Sequence, residues 1–153
     1  MDQARVAQLQ GMAIFGGLRG DVLELLDTQS RELRREPGEF FVREGEAGDL
    51  FYVLLEGRVE VLKNFPAGLR RLRCLGPGDC FGEMALMDMS RRSASVRALT
   101  ACRALEIPAA GLLKVYERDV EQFALLEMNM GREVSRRLRE TDEHLFDPPP
   151  GAQ

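Results

Sequence analysis

The chain has 153 residues, 44% hydrophobic and 30% charged, with a formal net charge of −4. That is the size and composition of one globular domain with its own core. Its pI near 5.2 gives no general attraction for nucleic acid or an anionic membrane, and no apolar run approaches the roughly 18 residues of a bilayer span.

Cys74, Cys80 and Cys102 lack CxxC spacing, which argues against a disulfide framework or a zinc site and for buried, reduced thiols. The only histidine, His144, stands four positions before a proline run. No histidine-rich metal site is possible, which removes a metal-dependent jelly-roll enzyme, and triad catalysis has little to rest on. A non-enzymatic role is expected, with no metal and no cofactor. The start, MDQARVAQLQ, lacks the basic-then-apolar layout of a secretory signal, so the expected compartment is the cytoplasm.

Val6, Leu9, Met12 and Ile14 begin an apolar helical face, and Asp21 ahead of VLELL is the expected N-cap of a second helix. Gly16, Gly17 and Gly20 separate the two. From about residue 31 the pattern turns to short β-type runs punctuated by Pro37-Gly38, Gly45, Gly48 and Gly57. Val59 and Val61 alternate with Arg58 and Glu60, predicting a strand with one wet face. LRRLRCL, the turn GPGD, CFGEMALM and SASVRAL follow. In CRALEIP, Cys102, Ala104 and Glu106 alternate with Leu105 and Ile107.

Many short strands at close turn spacing predict a mainly β fold with flanking helices, a jelly-roll barrel (double-stranded β-helix) over about 31–108. After Pro108 a short helix and then a long one from about 120 to 145 are expected, the helical part ending near 146. One domain over about 1–147 is expected, and the proline-rich end, about 148–153, is expected to be disordered. Val134, Leu138, Thr141 and Leu145 follow a 4-3-4 spacing. That is either a seam for pairing two helices or the face of a helix laid on its own barrel.

Residues 81–98, FGEMALMDMSRRSASVRA, carry the densest chemistry. Gly82 permits close backbone approach or an unusual φ. EMALM is too short to stand alone, so a single turn is expected, its free N–H groups favouring an anion. Glu83 would repel that anion unless it accepts a hydrogen bond from a neutral hydroxyl while the amides take the charge. Nine residues later Arg92 offers a planar fork suited to two phosphate oxygens. Ser93 and Ala94 are small enough for the backbone to crowd a ligand. Singly, a Gly-Glu pair is an ordinary turn and an Arg-Arg pair an ordinary solvated loop. Together they fit a sugar fused to a monoanionic phosphate.

The segment resembles the phosphate-binding cassette of cyclic-nucleotide-binding domains, found in bacterial catabolite activator proteins, regulatory subunits of cyclic-AMP-dependent kinase and nucleotide-gated channels. Phe81, Gly82, Glu83, Ala85 and Leu86 fit its first half; Arg92, Ser93, Ala94 and Val96 fit its second. FVREGEAGDLFYVLLEG resembles the family's upstream signature, with Gly45, Glu46 and Gly48 at turn positions and Gly57 at its close. LGPGD from Leu75 to Asp79 is also typical, whereas Phe41 stands where an aliphatic residue is usual. The resemblance covers about residues 15–145.

It implies that Glu83 binds the ribose 2′-hydroxyl and Arg92 the exocyclic phosphate oxygens. Backbone amides around Met84, Ala85 and Ala94, with the Ser93 hydroxyl, would complete the cage. Val61 and Leu72 would line sugar and base, or serve as ordinary core. Aligning SRRLRETDEHL with the bacterial activators puts Thr141, beside Asp142, where a threonine contacts adenine. Ser93 suits cyclic AMP and can also serve the guanine amino group; cyclic AMP is favoured over cyclic GMP. The resemblance further implies a homodimer through the long helix, whose seam is reset when nucleotide draws the C-terminal helices to the barrel.

Nothing after the long helix resembles a helix-turn-helix and no direct DNA binding is expected, so the output is expected either in a protein partner or in the rest of a longer product. Arg91 is read as exposed. The basic run Arg132, Arg136, Arg137 and Arg139 is read as a solvated or partner-docking face. The alternative function is a nucleotide-free docking or dimerisation module of the same fold.

Overall fold

The computed structural model describes residues 3–82 and 91–146, with side chains through residue 140. The expected turn after Gly82 and the proline-rich tail lie outside the described residues. Helix α1 (Gln3–Gln10), a 3-10 turn (Ala13–Phe15) and α2 (Gly20–Gln29) come first. Among the described residues eight strands follow: β1 (Arg31–Arg35), β2 (Phe40–Val42), β3 (Leu50–Glu56), β4 (Val59–Phe65), β5 (Gly68–Leu75), β6 (Cys80–Phe81), β7 (Ser95–Ala98) and β8 (Cys102–Pro108). Two helices close the fold, α3 (Ala109–Arg118) and α4 (Val120–Phe146).

The strands form two four-stranded antiparallel sheets, in the orders β1-β8-β3-β6 and β2-β7-β4-β5. Strands β3 and β8 are apolar on both faces because each separates two cores. Phe51, Val53, Leu55, Leu105 and Ile107 pack outward against the helices. Tyr52, Leu54, Cys102 and Ala104 point between the sheets. This is the jelly-roll arrangement, with the helical core packed on the outer face of the β1-β8-β3-β6 sheet.

Polar contacts fix the helical layer. Buried Asn129 of α4 donates to the carbonyls of Ile14 (3.1 Å) and Gly16 (3.0 Å). At the α3–α4 joint, Asp119 accepts from the amides of Glu121 and Gln122, capping α4. The same carboxylate takes Nη1 of Arg19 at 2.7 Å.

Three expectations are corrected. Asp21 is not the N-cap of α2: Arg19 holds that place in an extended conformation, and Asp21, inside the first turn, pairs with Arg19 and Arg118. Glu60 is on the outer face but only 5% exposed, because Arg71 and Arg97 fold over it and donate to its two oxygens. Burial disfavours its charge, but the two guanidiniums outweigh this and hold its carboxyl below the usual carboxylate range. Cys80 and Cys102 are buried, whereas Cys74 is half-buried.

Candidate functional site

A cavity of about 270 Å³ opens between the inner face of the β2-β7-β4-β5 sheet and α4. Val61, Leu72 and Leu75 form its apolar barrel wall, and Phe81, Gly82, Arg92, Ser93 and Ala94 form its polar end. Val134, Arg137 and Leu138 of α4 close the third side.

Arg92 is a guanidinium only 6% exposed. Its Nη1 donates to the carbonyl of Gly82 (2.9 Å) and its Nη2 to that of Leu50 (2.8 Å). The backbone around it is clamped: its amide donates to Glu46 at 2.8 Å, and its carbonyl accepts from Gly45 at 2.9 Å. Two glycines make its slot. A Cβ on Gly48 would lie 2.4 Å from Arg92 Cζ, and one on Gly82 would lie 2.6 Å from Nη1. Gly82 also holds φ at +83°, a conformation that disfavours any side chain. Downstream, Lys63 Nζ donates to the Ser93 carbonyl at 2.7 Å, tying that segment to β4.

Under the guanidinium lies an aromatic trio. The Tyr52 ring stacks on Phe81, centroids 5.0 Å apart and planes at 10°, and Phe41 packs against both. The unusual Phe41 therefore completes a cluster rather than filling an aliphatic site. Tyr52 donates to Glu106 Oε2 at 3.0 Å. Burial, and then the Glu106 charge, push its phenol up to about 12, so it remains a donor at neutral pH.

Of the residues singled out from sequence, Phe81, Gly82, Arg92, Ser93, Ala94, Val61 and Leu72 share this cavity. Glu83, Met84 and Ala85 lie outside the described residues, as does the Thr141 side chain. Arg91 is exposed and donates to the Gly45 carbonyl at 3.0 Å.

Sequence reading missed Arg73 and Arg137. The β4–β5 register slips between Val61↔Arg73 and Leu62↔Arg71. The bulge puts Leu72 and Arg73 on the same cavity wall, which strict alternation forbids. Arg137 is corrected from the expected basic face: its Nη2 donates to the Cys80 carbonyl at the cavity edge. Its neighbours do lie outside, Arg132 on Asn129 and Arg136 between Glu133 and Glu140. Val134 and Leu138 line the cavity as well, so α4 is laid on its own barrel. A usable signal existed, because Val134, Arg137 and Leu138 are spaced i, i+3, i+4 on one helical face.

Chemically, the site offers a buried guanidinium, a glycine turn and an apolar wall. Among the described residues no group of three or more His, Cys, Asp or Glu side chains is placed to hold a metal. A jelly-roll barrel with such a cavity between one sheet and a C-terminal helix has the form of a small-ligand site.

Residues 32–119 match the family model of the cyclic nucleotide-binding domain, and the chain belongs to that family. It is 30% identical over 136 residues to a CRP-like cAMP-activated global transcriptional regulator of Mycobacterium tuberculosis, covering 88% of this chain and 58% of that one. It is 40% identical over 88 residues to a cGMP-dependent protein kinase of Plasmodium berghei, covering 58% of this chain and 10% of the kinase. Among solved structures, the catabolite activator protein of Thermus thermophilus superposes with a TM-score of 0.75 at 30% identity, covering 87% of this chain and 61% of that one. The chain thus spans less than two thirds of the length of these relatives.

Proposed function

We propose that the chain is a sensor module that binds a cyclic nucleotide, cyclic AMP in preference to cyclic GMP, and reports occupancy through α4. The carrying observation is Arg92, a buried guanidinium held at the polar end of a cavity whose far wall is α4. A cyclic phosphodiester bears one negative charge with two exocyclic oxygens, which match the guanidinium fork. Glu83 would take the ribose 2′-hydroxyl, and the amides of Met84, Ala85 and Ala94 with the Ser93 hydroxyl would surround the phosphate. Val61 and Leu72 would face sugar and base, with Thr141 near the base. The nucleotide calls for no cofactor, and the module works by binding rather than catalysis.

The preference for cyclic AMP draws on Ser93 and on the cAMP-activated relative, which aligns along most of the chain. One observation favours cyclic GMP instead. Arg73 and Arg137 put guanidinium groups on the wall, and guanidinium donors pair with guanine O6 and N7 but not with the adenine amino group.

Because α4 forms one wall, a bound nucleotide contacts the helix directly, and occupancy shifts its position only if the two states differ in affinity. Val120 and Met128, each 57% exposed, give α4 apolar surface for pairing with a second copy or an output partner. Arg132 and Arg136 are engaged within α4, which speaks against a DNA-facing helix. Cysteines without disulfides among the described residues suit the cytoplasm, and no helix among the described residues is long and apolar enough to cross a membrane.

Calorimetric titration with cyclic AMP, cyclic GMP and linear 5′-AMP tests the proposal. Saturable one-to-one binding of cyclic AMP, tighter than cyclic GMP and lost with 5′-AMP, is expected. Absence of heat with either cyclic nucleotide at millimolar concentration would instead support the docking-module alternative. Tighter cyclic GMP would reverse the base assignment and leave the sensor reading intact.

A further inference from the structure

We infer that Tyr52 is a positioning residue that acts on the ligand through Arg92, with Glu106 as the brace that holds Tyr52. The inference rests on Arg92 as the phosphate anchor. Its observation is a single row of side chains crossing all four strands of one sheet. Arg31 of β1 is in register with Glu106 of β8, Glu106 with Tyr52 of β3, and Tyr52 with Phe81 of β6. Side chains in register share a face, so the row is continuous. Arg31 Nε donates to Glu106 Oε1 at 3.0 Å, and Tyr52 Oη donates to Glu106 Oε2 at 3.0 Å. The Tyr52 ring then stacks on Phe81, the residue before Gly82.

Arg92 meets this row from the cavity side, its Cζ 5.9 Å from the Tyr52 ring centroid. That is cation–π distance in a site shielded from water, where such contacts are strongest. An arginine side chain has several soft torsions, and the carbonyls of Gly82 and Leu50 fix only its tip. The ring supplies the surface that sets the height of the guanidinium plane.

Of the three aromatics under Arg92, only Tyr52 carries a polar handle, and that handle fixes the ring tilt. It also occupies the second oxygen of a buried carboxylate. Without the phenol hydroxyl, a buried carboxylate oxygen would be left without its donor and the ring without its tether.

The test combines Tyr52→Phe, which keeps the ring and removes the hydroxyl, with Arg92→Lys, which keeps the charge and removes the fork. In the otherwise native chain, Tyr52→Phe is expected to weaken cyclic AMP binding about 5- to 30-fold. In the Arg92→Lys background the same change is expected to cost less than about 2-fold, because the group it positions is gone. Equal losses in both backgrounds, or no loss in the native one, would overturn the inference.

A ligand-free readout keeps the test decisive if Arg92→Lys binds too weakly to titrate. The Arg92 Nε–H resonance, assigned by its disappearance in Arg92→Ala, should shift in Tyr52→Phe and stay near its native position in Glu106→Gln, whose amide oxygen still accepts from the phenol. An unmoved resonance in Tyr52→Phe contradicts the positioning role. If Arg92→Ala alone binds like the native chain, the anchor reading fails, while the resonance shift still reports whether Tyr52 holds Arg92.

Discussion

Gly48→Ala separates ligand binding from folding more cleanly than removing Arg92. Gly48 does not occupy the left-handed region, so alanine fits the local backbone without strain. The added methyl would lie 2.4 Å from Arg92 Cζ and Nε and 2.8 Å from Nη2, with no backbone atom among its nearest contacts. Ordinary carbon contacts begin near 3.5 Å, so the guanidinium must retreat by about 1 Å. The retreat lengthens the buried guanidinium's bonds to the Gly82 and Leu50 carbonyls, so the ligand-free protein should still fold but melt below the native one. A shift of that size removes good geometry from at least one charge-assisted bond to the ligand, worth about 1.5–3 kcal/mol, or roughly 10- to 150-fold in affinity. Calorimetry with cyclic AMP and a thermal melt of the ligand-free protein read the two effects separately. Native affinity in a normally folded Gly48→Ala protein would refute the argument that this guanidinium position is what the ligand needs.

Arg92→Ala should weaken cyclic nucleotide binding by about 2–5 kcal/mol, the cost of leaving a buried phosphate without its partner, as read by the same titration. Glu60→Gln should lower stability at neutral pH but not in acid. The depressed carboxyl contributes above its ordinary value near 4.5 and stops contributing as pH falls through its folded-state value; the gap between the urea midpoints of the two proteins should be widest at pH 7 and narrow as the pH is lowered below that ordinary value. Asn129→Leu should destabilise the chain by about 1–3 kcal/mol for each buried carbonyl left without its donor, at Ile14 and Gly16. Urea unfolding checks this, and no change would mean the helical layer does not depend on that link.

Local pattern made much of this legible. The change from helical to two-residue period near residue 31 marks where β1 begins, and Pro108 marks where β8 gives way to α3. Gly82 and Arg92 could be paired from sequence because a glycine turn and a guanidinium at that spacing suit one anion, and they meet at 2.9 Å. What stayed hidden depends on tertiary contacts. Leu72 and Arg73 share the cavity wall because of a bulge, and a one-residue slip reverses which side chains point inward. Glu60 is on the face that alternation assigns, but long arginine side chains from two other strands cover it. Arg137 looked like part of a solvated basic run, since Arg132 and Arg136 are; its place on the Val134 face of the helix matters only once that face lies over the cavity. The Tyr52–Glu106 bond joins residues 54 apart in sequence and leaves no local trace.

The most direct test of the account is a crystal structure of the chain grown with cyclic AMP. The account predicts one nucleotide in the cavity under α4, an exocyclic phosphate oxygen about 2.7–2.9 Å from an Arg92 nitrogen, and the base toward Leu72 and Leu138. A nucleotide bound elsewhere, or an occupied cavity in which Arg92 keeps only its contacts to the Gly82 and Leu50 carbonyls, would contradict it.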